Sequence, residues 1–239
     1  MVLDVSSLDH KTVNDRMRGV TGDVVINGAC GHRFIAAGMS DIDLTINGIP
    51  GNALGAYLDG AVITVNSNAQ DAVGDTMNDG KIIIHGSVGD AVGYAMRGGA
   101  IFVKGSAGYR AGIHMKEYRD KVPVIVIGGA AGSFLGEYQA GGVIVVLGLG
   151  IGDRRIVGNF PGTGMHGGKM FLRGGCEDIK FPSQVTAREA TEDDTLELRK
   201  YVREYCELFG GDPEEILASE FTVVTPDSKN PYKQMYVAN

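Results

Sequence analysis

From residue 42 onward, short runs of aliphatic residues recur, each ending, in all but one case, in a polar or small residue and then glycine or serine: "IDLTING", "AVITVNS", "KIIIHG", "AIFVKG", "VIVIGG", "VIVVLG" and "MFLRG". Taking that last glycine or serine as a marker, Gly48, Ser67, Gly86 and Gly105 lie 19 residues apart, as do Gly129 and Gly148. Two longer gaps, 24 residues before Gly129 and 26 before Gly174, place insertions around "KEYRDK" and "IGDRRIVGNF". Upstream, Gly28 stands 20 before Gly48, so "DVVING" reads as an earlier, less regular copy.

Each copy has the same columns. Four residues before the marker stand Leu44, Ile63, Ile82, Ile101, Ile125, Ile144 and Met170; two before it stand Ile46, Val65, Ile84, Val103, Ile127, Val146 and Leu172. A spacing of two puts both columns on one face of a strand. Ten residues after the marker come Leu58, Met77, Met96, Met115, Gln139 and, past the insertion, Met165, which read as a further inward ladder. On the opposite strand face, three before the marker, Thr45 and Thr64 give way to Ile83, Phe102, Val126, Val145 and Phe171. That outward column turns apolar, so the C-terminal tail or another chain must cover it, and these five residues form the candidate partner face.

The period is too short for a propeller blade, and no copy carries the helix signature of ankyrin or tetratricopeptide repeats. One copy per turn of an all-β solenoid fits: coils stack about 4.8 Å apart, and seven make a rod roughly 35 Å long. The 37 glycines follow from this shape. Gly51, Gly55, Gly74, Gly89, Gly93, Gly108, Gly112, Gly132, Gly136 and Gly162 recur where a narrow coil must bend or lie close to its neighbour. A ligand loop occurs once; these recur in every copy, so they are structural turns and not a phosphate cradle. The methionine column reads likewise as core filling.

Composition narrows the function classes. With 44% hydrophobic residues in 239, the chain has enough apolar surface for a sizeable core. A net charge of −7 without a Lys/Arg run gives no support for nucleic-acid binding. No apolar stretch is long enough to span a membrane, and no leader-like segment opens the chain. Cys30, Cys176 and Cys206 lie far apart, which argues against a zinc or iron–sulfur module and for a reducing, cytoplasmic setting.

The glycine period stops near Pro182, dividing a repeat domain, 1–182, from a tail, 183–239. In the tail, Leu198, Val202, Tyr205 and Phe209 recur at three- and four-residue spacing, predicting an amphipathic helix ended by Gly210-Gly211. "GDPEEILA" predicts a short second helix capped by Asp212 with Pro213 first and Glu215 completing a capping-box-like pair, and the rest looks extended. Other motifs fall short of chemistry. "VIVVLGLGIGD" starts like a dinucleotide fingerprint, but Pro161 and several glycines forbid the helix that should follow. His114 and His166 beside the methionine column have no acidic partner at a metal-ligand spacing, and Cys30 lies too near His32 for a thiol–imidazole pair. No catalytic, cofactor-binding or metal-binding residue is assigned.

The stretches "GSVGDAVGYAMRGG", "GSAGYRAGIHM" and "GAAGSFLGEYQAGGVIVVLG" resemble the GXGXG domain of the glutamate synthase large subunit over about residues 23–175. The tail, with "FTVVTP" and "PYKQMY", looks like the end of that subunit. The resemblance implies a right-handed single-stranded parallel β-helix without chemistry of its own. It implies partners: a glutamine amidotransferase subunit, and an FMN/iron–sulfur subunit that aminates and reduces 2-oxoglutarate. Standing alone, the chain would be the non-catalytic assembly subunit of a split glutamate synthase. The family's N-terminal cysteine nucleophile and its cysteine cluster are absent. The corresponding subunits of formylmethanofuran dehydrogenase and of the N-methylglutamate-forming enzyme use the same β-helix and are alternatives. From other classes come an independent ligand-binding solenoid, with a groove near Lys116 to Lys121 and Ile151 to Phe160 that Arg154→Ala or Arg155→Ala would disable, and a homo-oligomeric structural protein.

Overall fold

The computed structural model describes residues 1–227. In chain order the elements are β1 (Val2–Asp4), α1 (His10–Met17), β2 (Gly22–Cys30), β3 (Ile42–Ile49), β4 (Asp59–Val65), β5 (Asp79–Ile84), β6 (Ala100–Val103) and β7 (Val124–Ile127). There follow β8 (Ala140–Val146), β9 (Gly167–Arg173), β10 (Val185–Glu189), α2 (Glu192–Phe209), α3 (Pro213–Leu217) and β11 (Phe221–Pro226). All eleven strands form one sheet, in chain order except that β11 lies between β9 and β10.

From β1 to β9 every pairing is parallel and joins consecutive coils, the arrangement of a β-solenoid. The register follows the period: Ile63 pairs with Ile82, Ile82 with Ile101, Ile101 with Ile125, Ile125 with Ile144 and Ile144 with Met170. Both inward strand columns are fully buried, and so is the ladder Leu58, Met77, Met96 and Met115, with Met165 at 1% exposure. Parallel bridges Ala69–Val88–Ala107–Ala131–Val157 form a second side of the coil. The third side consists of turns, and it too is tied from coil to coil: Ala91 and Ala95 donate to Tyr109 and Ile113 of the next coil, while Gly93 donates to Val73 of the previous one.

Corner side chains extend the ladders. The Asp71 and Asp90 carboxylates each accept the backbone N–H of the equivalent position one coil on, Asp90 and Tyr109. The Ser87 and Ser106 hydroxyls do the same for Ser106 and Ala130, and Asn66, Asn47 and Asn27 form an amide chain. These bonds satisfy N–H groups that the corners take out of the sheet. One core position departs: in the methionine column Gln139 is fully buried, donating to the Gly141 and Gly142 carbonyls while its Oε1 has no partner among the described residues.

Both ends of the stack are closed. At the N-terminal end α1, capped by Asp9, buries Val13 and Met17 against the first coil. At the other end β11 pairs antiparallel with β9, and β10 antiparallel with β11. The predicted amphipathic helix is α2, which begins at Thr191 with a capping box involving Asp194 and ends at Gly210. Asp212 caps α3 by accepting from Glu214 N–H. "PYKQMY" lies outside the described residues.

Candidate functional site

Among the described residues, no three His, Cys, Asp or Glu side chains converge to hold a metal, and no helix is long and apolar enough to cross a membrane. His32 is buried, its Nδ1 accepting from Cys30 N–H at 3.0 Å and its Nε2 lying 2.8 Å from the Leu8 carbonyl. Since Nδ1 must accept, Nε2 carries the proton, and the ring braces the first coil instead of activating the Cys30 thiol. His166 Nδ1 lies 3.0 Å from the Gly164 carbonyl, a local turn contact. Functional surface must therefore be sought on the outer faces of the coil.

The outward sheet face is not free. Phe102, Val126, Val145 and Phe171 are fully buried, packed with Leu198, Tyr201, Val202 and Tyr205 of α2, and Ile83 is 8% exposed. The candidate partner face is thus corrected: the chain's own tail covers it, because α2 presents a matching apolar stripe. The helix is also pinned at its ends. Lys81 pairs with Glu204. Burial pushes the Tyr205 phenol up to about 12, so it stays protonated and donates to the Lys104 carbonyl at 3.1 Å. Around Asp194, Arg188 stands at 2.6 Å and Lys169 at 3.1 Å, with Lys169 also 2.7 Å from Glu197. Burial opposes the charge on Asp194, but hydrogen bonds from Arg188, Thr191 and Lys169 outweigh it and hold the carboxyl well below the usual range.

The glycine columns serve two separate purposes. Gly55, Gly74, Gly93, Gly112, Gly136 and Gly162 all have φ between +63° and +71°. At Gly93 a Cβ would also lie 2.4 Å from Ile125 Cδ1 of the core, and this crowding adds to the left-handed φ, which Ala36 bears in the same column. Gly51, Gly89, Gly108 and Gly132 have ordinary φ but touch the coil before: a Cβ on Gly108 would lie 2.1 Å from Asp90 Oδ1, the atom that caps Tyr109.

The turn face is left bare. Each of its coils has left-handed residues at alternate positions, as at Ala91, Gly93 and Ala95 or Phe134, Gly136 and Tyr138. Six of the seven exposed aromatic side chains among the described residues stand here: Phe34, Tyr57, Tyr94, Tyr109, Tyr138 and Phe160, the last 58% exposed. Tyr118, in the first insertion, is the seventh. His114 stacks on Tyr138 with ring centres 5.3 Å apart and meets Tyr94 edge-on at 5.9 Å. Phe134 and Phe160 are 5.3 Å apart, and Arg110 lies over Phe134 while pairing with Glu137. Aromatic rings with an arginine among them make a surface suited to anchoring another protein, since they bury much area at little entropic cost. The sequence reading missed it, because no column is aromatic throughout: Ala53, Ala72, Ala91 and Arg110 separate Phe34 from Phe134 and Phe160, and Thr76, Ala95 and His114 separate Tyr57 from Tyr138.

The insertions differ in role. In 116–121, Tyr118 and Lys121 close a tight turn, and Lys121 reaches back to Asp79 at 2.8 Å. In 151–160, Arg154 and Arg155 border an open cleft with Arg173 at the end of β9.

A relative from Methanocaldococcus jannaschii, the uncharacterized protein MJ1350, is 42% identical over 251 residues, spanning 99% of this chain and 96% of that protein. A chain of the formyltransferase/hydrolase complex (FhcABCD) from Methylorubrum extorquens, solved in complex with methylofuran, superposes with a TM-score of 0.65 at 21% identity. The match covers 84% of this chain and 71% of that one, and it shows a shared fold. A family model described as the GXGXG motif matches residues 6–227, nearly the whole described chain, with the repeat and its turns inside the match. The chain belongs to the GXGXG motif family.

Proposed function

We propose that the chain is a non-catalytic assembly subunit: a rigid coil whose aromatic turn face docks the catalytic subunits of a larger enzyme. The observation that carries this reading is the row from Phe34 to Phe160, exposed on a scaffold whose three sides are all bonded from coil to coil. A rigid surface bearing rings spends little entropy on docking.

The resemblance of the repeats and tail to the glutamate synthase large subunit favours a split glutamate synthase. In that reading the partners are a glutaminase and an FMN/iron–sulfur subunit, and the setting is cytoplasmic. The likeness in fold to a chain of a formyltransferase/hydrolase complex favours a second reading, a subunit of the formylmethanofuran dehydrogenase type. Fold alone does not choose between them.

Affinity purification of the tagged chain from its native host at low salt, with mass spectrometry of what accompanies it, tests both. Recovery of a glutaminase and a flavin–iron–sulfur subunit, lost with Tyr109→Asp and Phe160→Asp together, is the expected result. Molybdenum or tungsten subunits lost in the same way would select the second reading. A chain that purifies alone, with or without the substitutions, would end the assembly proposal.

A further inference from the structure

The second insertion builds a cleft that docking leaves unused. After β8 the chain departs from the coil and rejoins it at Val157, which bridges to Ala131. The detour carries Arg154 and Arg155 to the border of a cleft of about 470 Å³, with Arg173 also on its wall and Leu147, Ile151 and Ile156 as its apolar lining.

The three guanidinium groups are not equally committed. Arg155 pairs with Asp178 at 2.9 Å and also donates to the Asp178 carbonyl at 3.1 Å. Arg173, only partly exposed, donates through Nε to Ser219 Oγ at 2.9 Å and through Nη1 to the Leu147 carbonyl at 3.4 Å. Arg154 donates through Nε to the Ile151 carbonyl at 3.1 Å. Among the described residues neither Arg154 nor Arg173 is paired with a carboxylate, although Asp153 also lines the cleft. Arg173 is thus a cation held in place by neutral partners, with charge left to offer a ligand. A planar fork fixed in this way suits the two oxygens of a carboxylate or phosphate. The volume exceeds what an inorganic ion needs, and the aliphatic lining calls for carbon.

We infer that this cleft binds a small organic oxyanion, its carboxylate or phosphate held by Arg154 and Arg173 and its aliphatic body resting on Ile151 and Ile156. A site of this kind would let a scaffold subunit hold or sense an acidic metabolite while the chemistry proceeds elsewhere. None of these residues belongs to the aromatic row, so the two proposals stand or fall separately.

The test is calorimetric titration of the full chain at low ionic strength with glutarate, with propyl phosphate and with the uncharged glutaramide. Saturable binding of one or both anions, and none of glutaramide, is expected. Binding of glutarate alone would assign a carboxylate ligand, and of propyl phosphate alone a phosphate ester. Arg154→Gln, at an exposed position, should weaken binding tenfold or more without shifting the melting temperature. Arg173→Gln should do the same, while Arg33→Gln, at the other end of the coil, should leave binding unchanged. The inference is overturned if neither anion binds saturably, if glutaramide binds as well as glutarate, or if Arg154→Gln binds like the parent chain. Because the Arg154→Gln result decides alone, a destabilised Arg173→Gln would not blunt the test.

Discussion

The sheet face and the turn face of this coil both turn apolar side chains outward, yet one is covered and the other bare. On the sheet face Phe102, Val126, Val145 and Phe171 form a regular column, and the regular stripe of α2 fits over it. On the turn face the rings of Tyr57, Tyr94, Tyr109 and Phe160 are exposed and irregular in column. A periodic surface can be matched by a periodic helix from the same chain. An irregular one needs a partner shaped to it, which is why the bare face carries the docking proposal.

That contrast can be broken by substitution, starting beneath both faces. Met96→Asp would bury a charge without a partner in the inward ladder and should cost on the order of 4 kcal/mol or more. Urea denaturation would show it as loss of the folded chain, and an unchanged midpoint would mean that the column is not core. Phe102→Ala should cost about 3–5 kcal/mol, since it empties the joint between sheet and helix. Hydrogen exchange should then show α2 losing protection before β5 and β6; equal loss in all three would make coil and helix one cooperative unit.

On the sheet face acid should act through Asp194. The Asp194 carboxyl is held below its ordinary value of 3.8 in the folded chain, so its stabilising contribution is complete above that value and is lost as pH falls from there through the lower folded value. The contribution is on the order of 2 kcal/mol, by the size of such linkage for a bridged aspartate. Asp194→Asn should lower stability at neutral pH and flatten its fall between about pH 4 and pH 2. A variant whose acid profile matches the parent's would remove Asp194 from this role. Smallest of all should be the stability effect of Tyr109→Ser with Phe160→Ser, under about 0.5 kcal/mol for surface positions. The same pair should abolish co-purification of partners, so a large stability loss would show the rings to be structural.

Much of this architecture was legible before any coordinates. A side chain repeated every 19 residues must stack on itself in a coil, so the register Ile63–Ile82–Ile101 followed from spacing. The helix over Leu198 to Phe209 was legible because its four apolar residues share one face. The closing helix α1 was not, since only Val13 and Met17 of its eight residues are buried, too few to set a period. Nor could spacing tell that Gly93 is crowded by a core side chain and Gly108 by the coil before it. Arg173 looked like one more strand-ending polar residue, because its neighbours Arg154 and Ser219 are distant in sequence and meet it only through the inserted loop and β11.

The reversed strand at the end of the stack has one more consequence. Identical coils that pair edge to edge could in principle add copies without limit, as fibrils do. Here β11 lies on the last edge with opposite polarity, and β10 outside it shows Thr186, Arg188 and Glu189 to solvent, so a further parallel coil finds no template. Growth stops at a length written in the sequence. Phe34 and Phe160 occupy equivalent positions six coil steps apart, each bonded through its backbone N–H to the next coil or standing at the end of that series, a span of roughly 29 Å at the spacing of paired strands. The chain is in that sense a molecular ruler, its graduations set by coil number.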